Sequence, residues 1–177
     1  MNRAWAHLKT INHHKLLVLQ GCFRVGLYWQ GITHDLSKYS PSEFCVGRRY
    51  WTGKRSPNAG ERQEKGYSTA WMHHKGRNRH HYEYWTDMSR ETLNYESVPM
   101  PRKYLVEMVM DRRAACMTYQ GRKYTDGSAL AYLERSREKD LMHPETVKQL
   151  RATCIENVKK TGGTVTFDAA VKYQRGD

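Results

Sequence analysis

Two helical stripes, each apolar apart from one ionisable side chain, constrain this chain more than any other feature. In the first, Ile11, His14, Leu17, Val18, Gly21, Cys22 and Val25 recur at helical spacing and define one face of a long helix. In the second, within Arg102 to Gln120, Leu105, Met108 and Ala115 put Asp111 among them on the inward face. A carboxylate buried without a partner costs several kcal/mol or gives up its charge. Asp111 therefore needs a metal, an arginine or a hydrogen-bond network. Arg112 and Arg113 adjoin it, but consecutive residues do not share a helix face. His14 raises the same question, to which the ordinary answer is a satisfied core histidine. Its neighbour His13 points about 100° away from the stripe.

The rest of the chain reads as helical too. Pro41 after Ser40 opens a helix through Glu43, Phe44 and Arg48, and residues 53–66 read as a loop. Gly66 to Lys75 reads as a helix that Gly76 ends. Ser128 is expected to cap a helix to about Lys139, and Pro144 starts a last long one that ends near Gly162-Gly163. The expectation is one all-α domain over residues 1–177 with about six helices. A small irregular or β element is expected near residues 92–101 or 164–173. The five Trp read as core.

A net charge of +12 points to anionic partners, either nucleic acid or phosphorylated small molecules. Lys and Arg are scattered rather than gathered in a stripe, and no zinc-finger, RRM or KH pattern is present, so nucleic acid is the less favoured. No apolar run approaches the ~20 residues of a membrane span, and no signal peptide opens the chain, so a cytoplasmic protein without a membrane partner is expected. Cys22, Cys45, Cys116 and Cys154 are widely spaced, as reduced thiols would be.

Ligand-bearing residues cluster in sequence. His34-Asp35-Leu36-Ser37-Lys38 places an imidazole beside a carboxylate, with a cation three residues on. The run from His73-His74 to His80-His81 is the densest in imidazoles; its bland reading is a basic loop without metal. If residues 14 to 34 formed one helix, the two imidazoles would stand ~30 Å apart and could share nothing. A common site therefore requires a break at or before Gly26–Gly31.

His14, His34-Asp35, His74 with His80 or His81, and Asp111 follow the order of the HD-domain superfamily of metal-dependent phosphohydrolases, which residues 10 to 115 resemble. As a whole the chain also resembles a family of small uncharacterised bacterial and phage proteins. The HD resemblance implies a helical bundle with its metal-site core at about 10–115 and accessory helices at 128–162. It also implies one or two divalent ions held by His14, His34, Asp35, His74, His80, His81 and Asp111, with Asp35 bridging. Imidazole suits Mn, Fe, Co, Ni and Zn. The activity implied is hydrolysis of a nucleotide or other phosphorylated small molecule by an activated water. Lys38, Arg77, Asn78 and Arg79 would hold phosphate. Glu43, or comparably Glu83, would fix an imidazole or act as general base. Two rivals stand beside this reading: an HD-like di-iron oxygenase, and a basic protein that binds nucleic acid or protein and uses its histidines structurally.

Overall fold

The structure is a computed structural model, and it describes residues 2–160. Helix α1 (Arg3–Arg24) begins at Asn2, whose side chain accepts from the Ala4 amide at 3.0 Å. Its buried face carries Ile11, His14, Val18, Gly21 and Cys22, as the stripe requires. The break comes at Gly26, whose φ of +77° favours glycine, and helix α2 (Tyr28–Thr33) then returns along α1. Lys15 ties the return down, its Nζ donating to the carbonyls of Ile32 and His34 at 2.8 Å each. Asp35 follows in the left-handed region at φ +54°, a conformation that Asp tolerates better than most residues and that still costs of order 1–3 kcal/mol. That turn separates α2 from a 3-10 turn over Leu36–Tyr39.

Helix α3 (Pro41–Tyr50) packs against α4 (Pro57–Lys65) and α5 (Thr69–Lys75). The loop expected over residues 53–66 is thus largely a helix: Pro57 takes the first turn and Gly66 closes it in the left-handed conformation, at φ +83°. A short hairpin pairs β1 (Thr86–Met88) with β2 (Tyr95–Ser97), in the register Thr86 to Ser97 and Met88 to Tyr95. It answers to the element expected near 92–101; the alternative at 164–173, and the helix end near Gly162-Gly163, lie outside the described residues.

Helix α6 (Arg102–Gln120) runs against α1, and at the crossing a Cβ on Gly21 would stand 2.9 Å from Met110 Sδ. Helices α7 (Ser128–Arg135) and α8 (Pro144–Lys160) pack on α6 from the other side. Ser128 is not the cap: Gly127 holds that position, and the Ser128 hydroxyl accepts from the Thr125 amide and donates to Gln120. The helix also stops at Arg135, and Arg137–Asp140 forms a separate 3-10 turn. One apolar core extends from Val18 through Leu105 and Leu133 to Cys154. The fold is all-α apart from the hairpin. It has eight α-helices among the described residues rather than about six, because α2 is short and α4 has almost no apolar residues. None of the five Trp is buried; Trp5 and Trp29 are largely exposed.

Candidate metal centre

Four elements deliver the ionisable side chains to one place. Helix α1 supplies His14, the turn after α2 supplies His34 and Asp35, and α6 supplies Glu107 and Asp111. The last turn of α5 and the segment after it supply His74, His80 and His81. Asn78 closes the end of α5 by donating to the His74 carbonyl at 2.8 Å and to Ser37 Oγ at 2.9 Å.

The centre has two halves that share Asp35. Its Oδ2 lies 3.2 Å from His34 Nε2 and 3.8 Å from His14 Nε2, and Asp111 Oδ1 stands 2.9 Å from His14 Nε2. Its Oδ1 faces His74 Nε2 at 3.2 Å and His80 Nε2 at 3.5 Å, with His81 completing that half. In each half the ligand atoms lie within 4.8 Å of one another. Donors ~2.1 Å from one ion stand about 3 to 4 Å apart, so the spacing suits a divalent transition ion. His13 is exposed and lies outside the centre.

Polar accounting sharpens the fit. Buried polar atoms are nearly always hydrogen-bonded. Here His14 Nε2, His34 Nε2, both Asp35 oxygens, His80 Nε2 and His81 Nε2 are buried without a well-formed hydrogen bond, their close polar neighbours being one another, His74, Asp111 and the Lys38 ammonium. The outer nitrogens, in contrast, are held. Glu107 Oε1 lies 3.0 Å from His34 Nδ1 and 3.2 Å from His80 Nδ1. Glu43 does the same for His73 Nδ1 at 2.7 Å and His74 Nδ1 at 2.8 Å. Carboxylates that take the Nδ1 protons leave the Nε2 lone pairs directed inward, which is how ligating imidazoles are oriented. The donor set fits a metal.

Electrostatics agree. Four carboxylates, Asp35, Asp111, Glu43 and Glu107, meet the imidazoles here, and the Lys38 ammonium is in ion-pair contact with Asp35 Oδ2. Without metal, protons must supply the missing positive charge. Burial opposes charge on His34, but Asp35, Asp111 and Glu107 outweigh it and hold its pKa well above the usual value. For His74 burial is likewise outweighed, by Asp35 and Glu43. Burial also opposes charge on Asp35, which His34, Lys38 and His74 nevertheless hold well below the carboxylate range. His81 is pushed well down by burial and by its neighbours His80 and His74.

A profile of a family of unknown function, DUF5662, matches residues 3–156. The chain belongs to DUF5662. No curated protein and no solved structure matches it. The DUF5662 match contains every ligand atom of the centre and the helices that position them.

Beside the centre of this DUF5662 chain lies a cavity of about 450 Å³, walled by α1, α3, α5 and α6. His14, Lys38, Glu43, His74, His81, Glu83 and Asp111 open onto it. Arg77, Asn78 and Arg79 do not line it: Arg77 bonds the His73 carbonyl, Asn78 braces α5, and Arg79 donates to the Tyr104 hydroxyl. The cations that do line it are Lys38, Lys54, Arg55 and Arg112. Neither Arg112 nor Arg113 neutralises Asp111; they pair with Glu138 and Asp126. Sequence reasoning missed Glu107, although it lies four residues before Asp111, on the same face of α6. Among the described residues no helix is long and apolar enough to cross a membrane. All four cysteines are free, and the Cys22 thiol is pushed up to about 12 by burial and then by Glu107 and Asp111, so it stays protonated.

Proposed function

We propose that this protein is a metal-dependent phosphohydrolase of the HD type that acts on a phosphorylated small molecule. The observation that carries the reading is the set of four buried imidazole nitrogens, without well-formed hydrogen bonds, arranged around the two oxygens of Asp35. His14, His34, Asp35 and Asp111 would hold one ion and Asp35, His74, His80 and His81 a second. A divalent ion in such a set supplies a Lewis acid and brings the pKa of water towards neutrality.

The chain's own groups divide the remaining work. Glu107 and Glu43 keep protons on the outer imidazole nitrogens, so the inner ones stay available. Lys38 lies next to Asp35 and opens onto the cavity, where its ammonium can meet the charge of a phosphoryl group. Hydrolysis forms a bond from water oxygen to phosphorus while the ester P–O bond breaks. The apolar wall of Ile11, Met108 and Ala115 limits the water that reaches it.

Element-resolved metal analysis of the purified protein, paired with a phosphate-release screen over phosphomonoesters, tests this. The expected result is one or two manganese, cobalt, nickel or zinc ions per chain and phosphate release that a chelator abolishes. Two irons without phosphate release would favour the oxygenase instead. No metal after reconstitution with each ion would overturn the reading and leave a basic binding protein. Lys38→Ala should keep the metal and weaken inorganic phosphate binding by about tenfold, the loss of one charge-assisted contact.

A further inference from the structure

Helix α1 is apolar on two faces, and the core uses one of them. Away from the buried stripe, Trp5, Leu16 and Phe23 recur at helical spacing and are all exposed, Trp5 at 56 %. Helix α2 lies beside this second stripe and widens it. A Cβ on its Gly31 would stand 3.3 Å from Leu19 Cδ1, and the Tyr28 ring meets Phe23 edge-on at 5.1 Å between centroids. Tyr28, Trp29 and Ile32 turn to solvent, Trp29 at 72 %. The 3-10 turn that follows adds the exposed Leu36, and it is held to the same side by Tyr39, whose hydroxyl donates to Asn12 Oδ1 at 2.7 Å. Single exposed apolar side chains are ordinary, whereas a contiguous group over adjoining elements marks a surface that something covers. The cavity takes a separate set of α1 residues, His7, Thr10, Ile11 and His14, so this surface is not part of it.

Charge limits what the cover can be. Residues 1–34 contain no Asp or Glu, against Arg3, Lys9, Lys15 and Arg24. Lys9 borders the apolar stripe with its ammonium 5.3 Å over the Trp5 ring, and Arg24 adjoins Phe23. A second copy would set cation against cation between two chains of net charge +12, whereas an anionic partner is attracted. Trp and Tyr beside Lys and Arg are also what seats well in a headgroup layer, where the rings are buried and their polar tips stay wet. The back of a helix is convex, and a fluid bilayer conforms to it without the preformed groove that a protein partner must supply. We propose that the solvent-facing side of α1 and α2 docks on the surface of an anionic phospholipid bilayer. No described helix is long and apolar enough to cross one, so the contact is peripheral. The proposal goes beyond the phosphohydrolase reading and does not rest on it.

The probes are vesicles of equal parts phosphatidylglycerol and phosphatidylcholine, against vesicles of phosphatidylcholine alone. Co-sedimentation measures binding of the full chain, and light scattering its oligomeric state without vesicles. The chain should bind the anionic vesicles about tenfold or more tightly than the neutral ones, and added salt should weaken that binding. Leu16→Gln combined with Trp29→Gln changes only side chains that the fold leaves exposed. It should leave the melting temperature in place and lower vesicle affinity about tenfold or more. Lys9→Glu should lower it about fivefold, through one reversed charge at the border. Should the double variant fail to fold, Trp29→Gln decides alone. No binding to anionic vesicles, equal binding to neutral ones, or full affinity in the folded apolar variant overturns the proposal. A wild-type dimer that the double substitution splits into monomers would assign the face to a second copy and overturn it as well.

Discussion

Asp35 at 1 % exposure and Glu61 at 0 % are the two most deeply buried carboxylates among the described residues, and their surroundings are opposite. Glu61 is saturated with donors. It accepts from Ser68 Oγ at 2.8 Å, Thr69 Oγ1 at 2.7 Å, the Ala70 amide at 3.4 Å and Lys65 Nζ at 3.2 Å. It joins α4 to the start of α5, and nothing is left for a ligand. Asp35 has comparable burial, yet no hydroxyl or backbone amide reaches it; Lys38 pairs with one oxygen, and the rest of its surroundings are imidazole nitrogens that lack hydrogen bonds. Burial alone therefore does not separate structural from functional charge. The balance of donors does: a fold satisfies the groups it uses for itself and leaves unsatisfied those it holds for something else.

The comparison breaks most sharply under mutation. Asp35→Ala removes the group common to both halves of the centre and should abolish metal binding and activity, with only a modest loss of stability. Full metal occupancy in this variant would end the distinction. Glu61→Ala should act the other way. It strands Ser68, Thr69 and Lys65 and should cost about 3 kcal/mol in urea unfolding, since it breaks a buried charged network, with metal stoichiometry of the folded protein unchanged. Glu107→Gln falls between the two. It keeps the shape but weakens the hold on His34 and His80 Nδ1, so metal affinity should drop 10–100-fold, read by competition with a chelator.

Much of the centre was legible in the sequence because helical period decides which side chains meet. The stripe of α1 put His14 inside, and the need for a break near Gly26 followed from length alone. What period cannot give is where a turn aims its side chains. His34, Asp35, His80 and His81 sit on non-helical backbone, and only packing shows that Asp35 adopts φ +54°. The same limit explains Arg77 and Arg79, which are near the ligands in sequence yet turned to the surface, and Arg112 and Glu83, which come from distant segments to one cavity. Helix α4 was missed for another reason. Its Ser56-Pro57 start and Gly66 stop were present, but the eight polar and small residues between them carry no apolar stripe.

The smallest effect is a difference in pH dependence between the two carboxylate sites. In the metal-free protein the pKa values of His34 and His74 are raised above the usual 6.5, after the carboxylates overcome burial. Their stabilisation is full below about pH 6.5 and is lost as pH rises through the raised folded values. His14 and His81 are lowered and act on the acid side of that value. Glu61 is lowered from its usual 4.5: burial raises it, but Thr69, Ser68 and Lys65 prevail. Its contribution is present above about pH 4.5 and is lost as pH falls through the folded value. Chelator-treated protein should therefore melt at a lower temperature as pH rises above about 6.5, by about 2–4 °C for each kcal/mol lost. Glu61→Ala should keep this slope, and Asp35→Ala, which removes the main charge that raises both imidazoles, should flatten it. Metal should reverse the slope, because ions bind the inner nitrogens more tightly as their protons leave. A metal-free melting temperature that did not change across this range would mean that His34 and His74 are already neutral there, and that the carboxylates around them are balanced by some other charge.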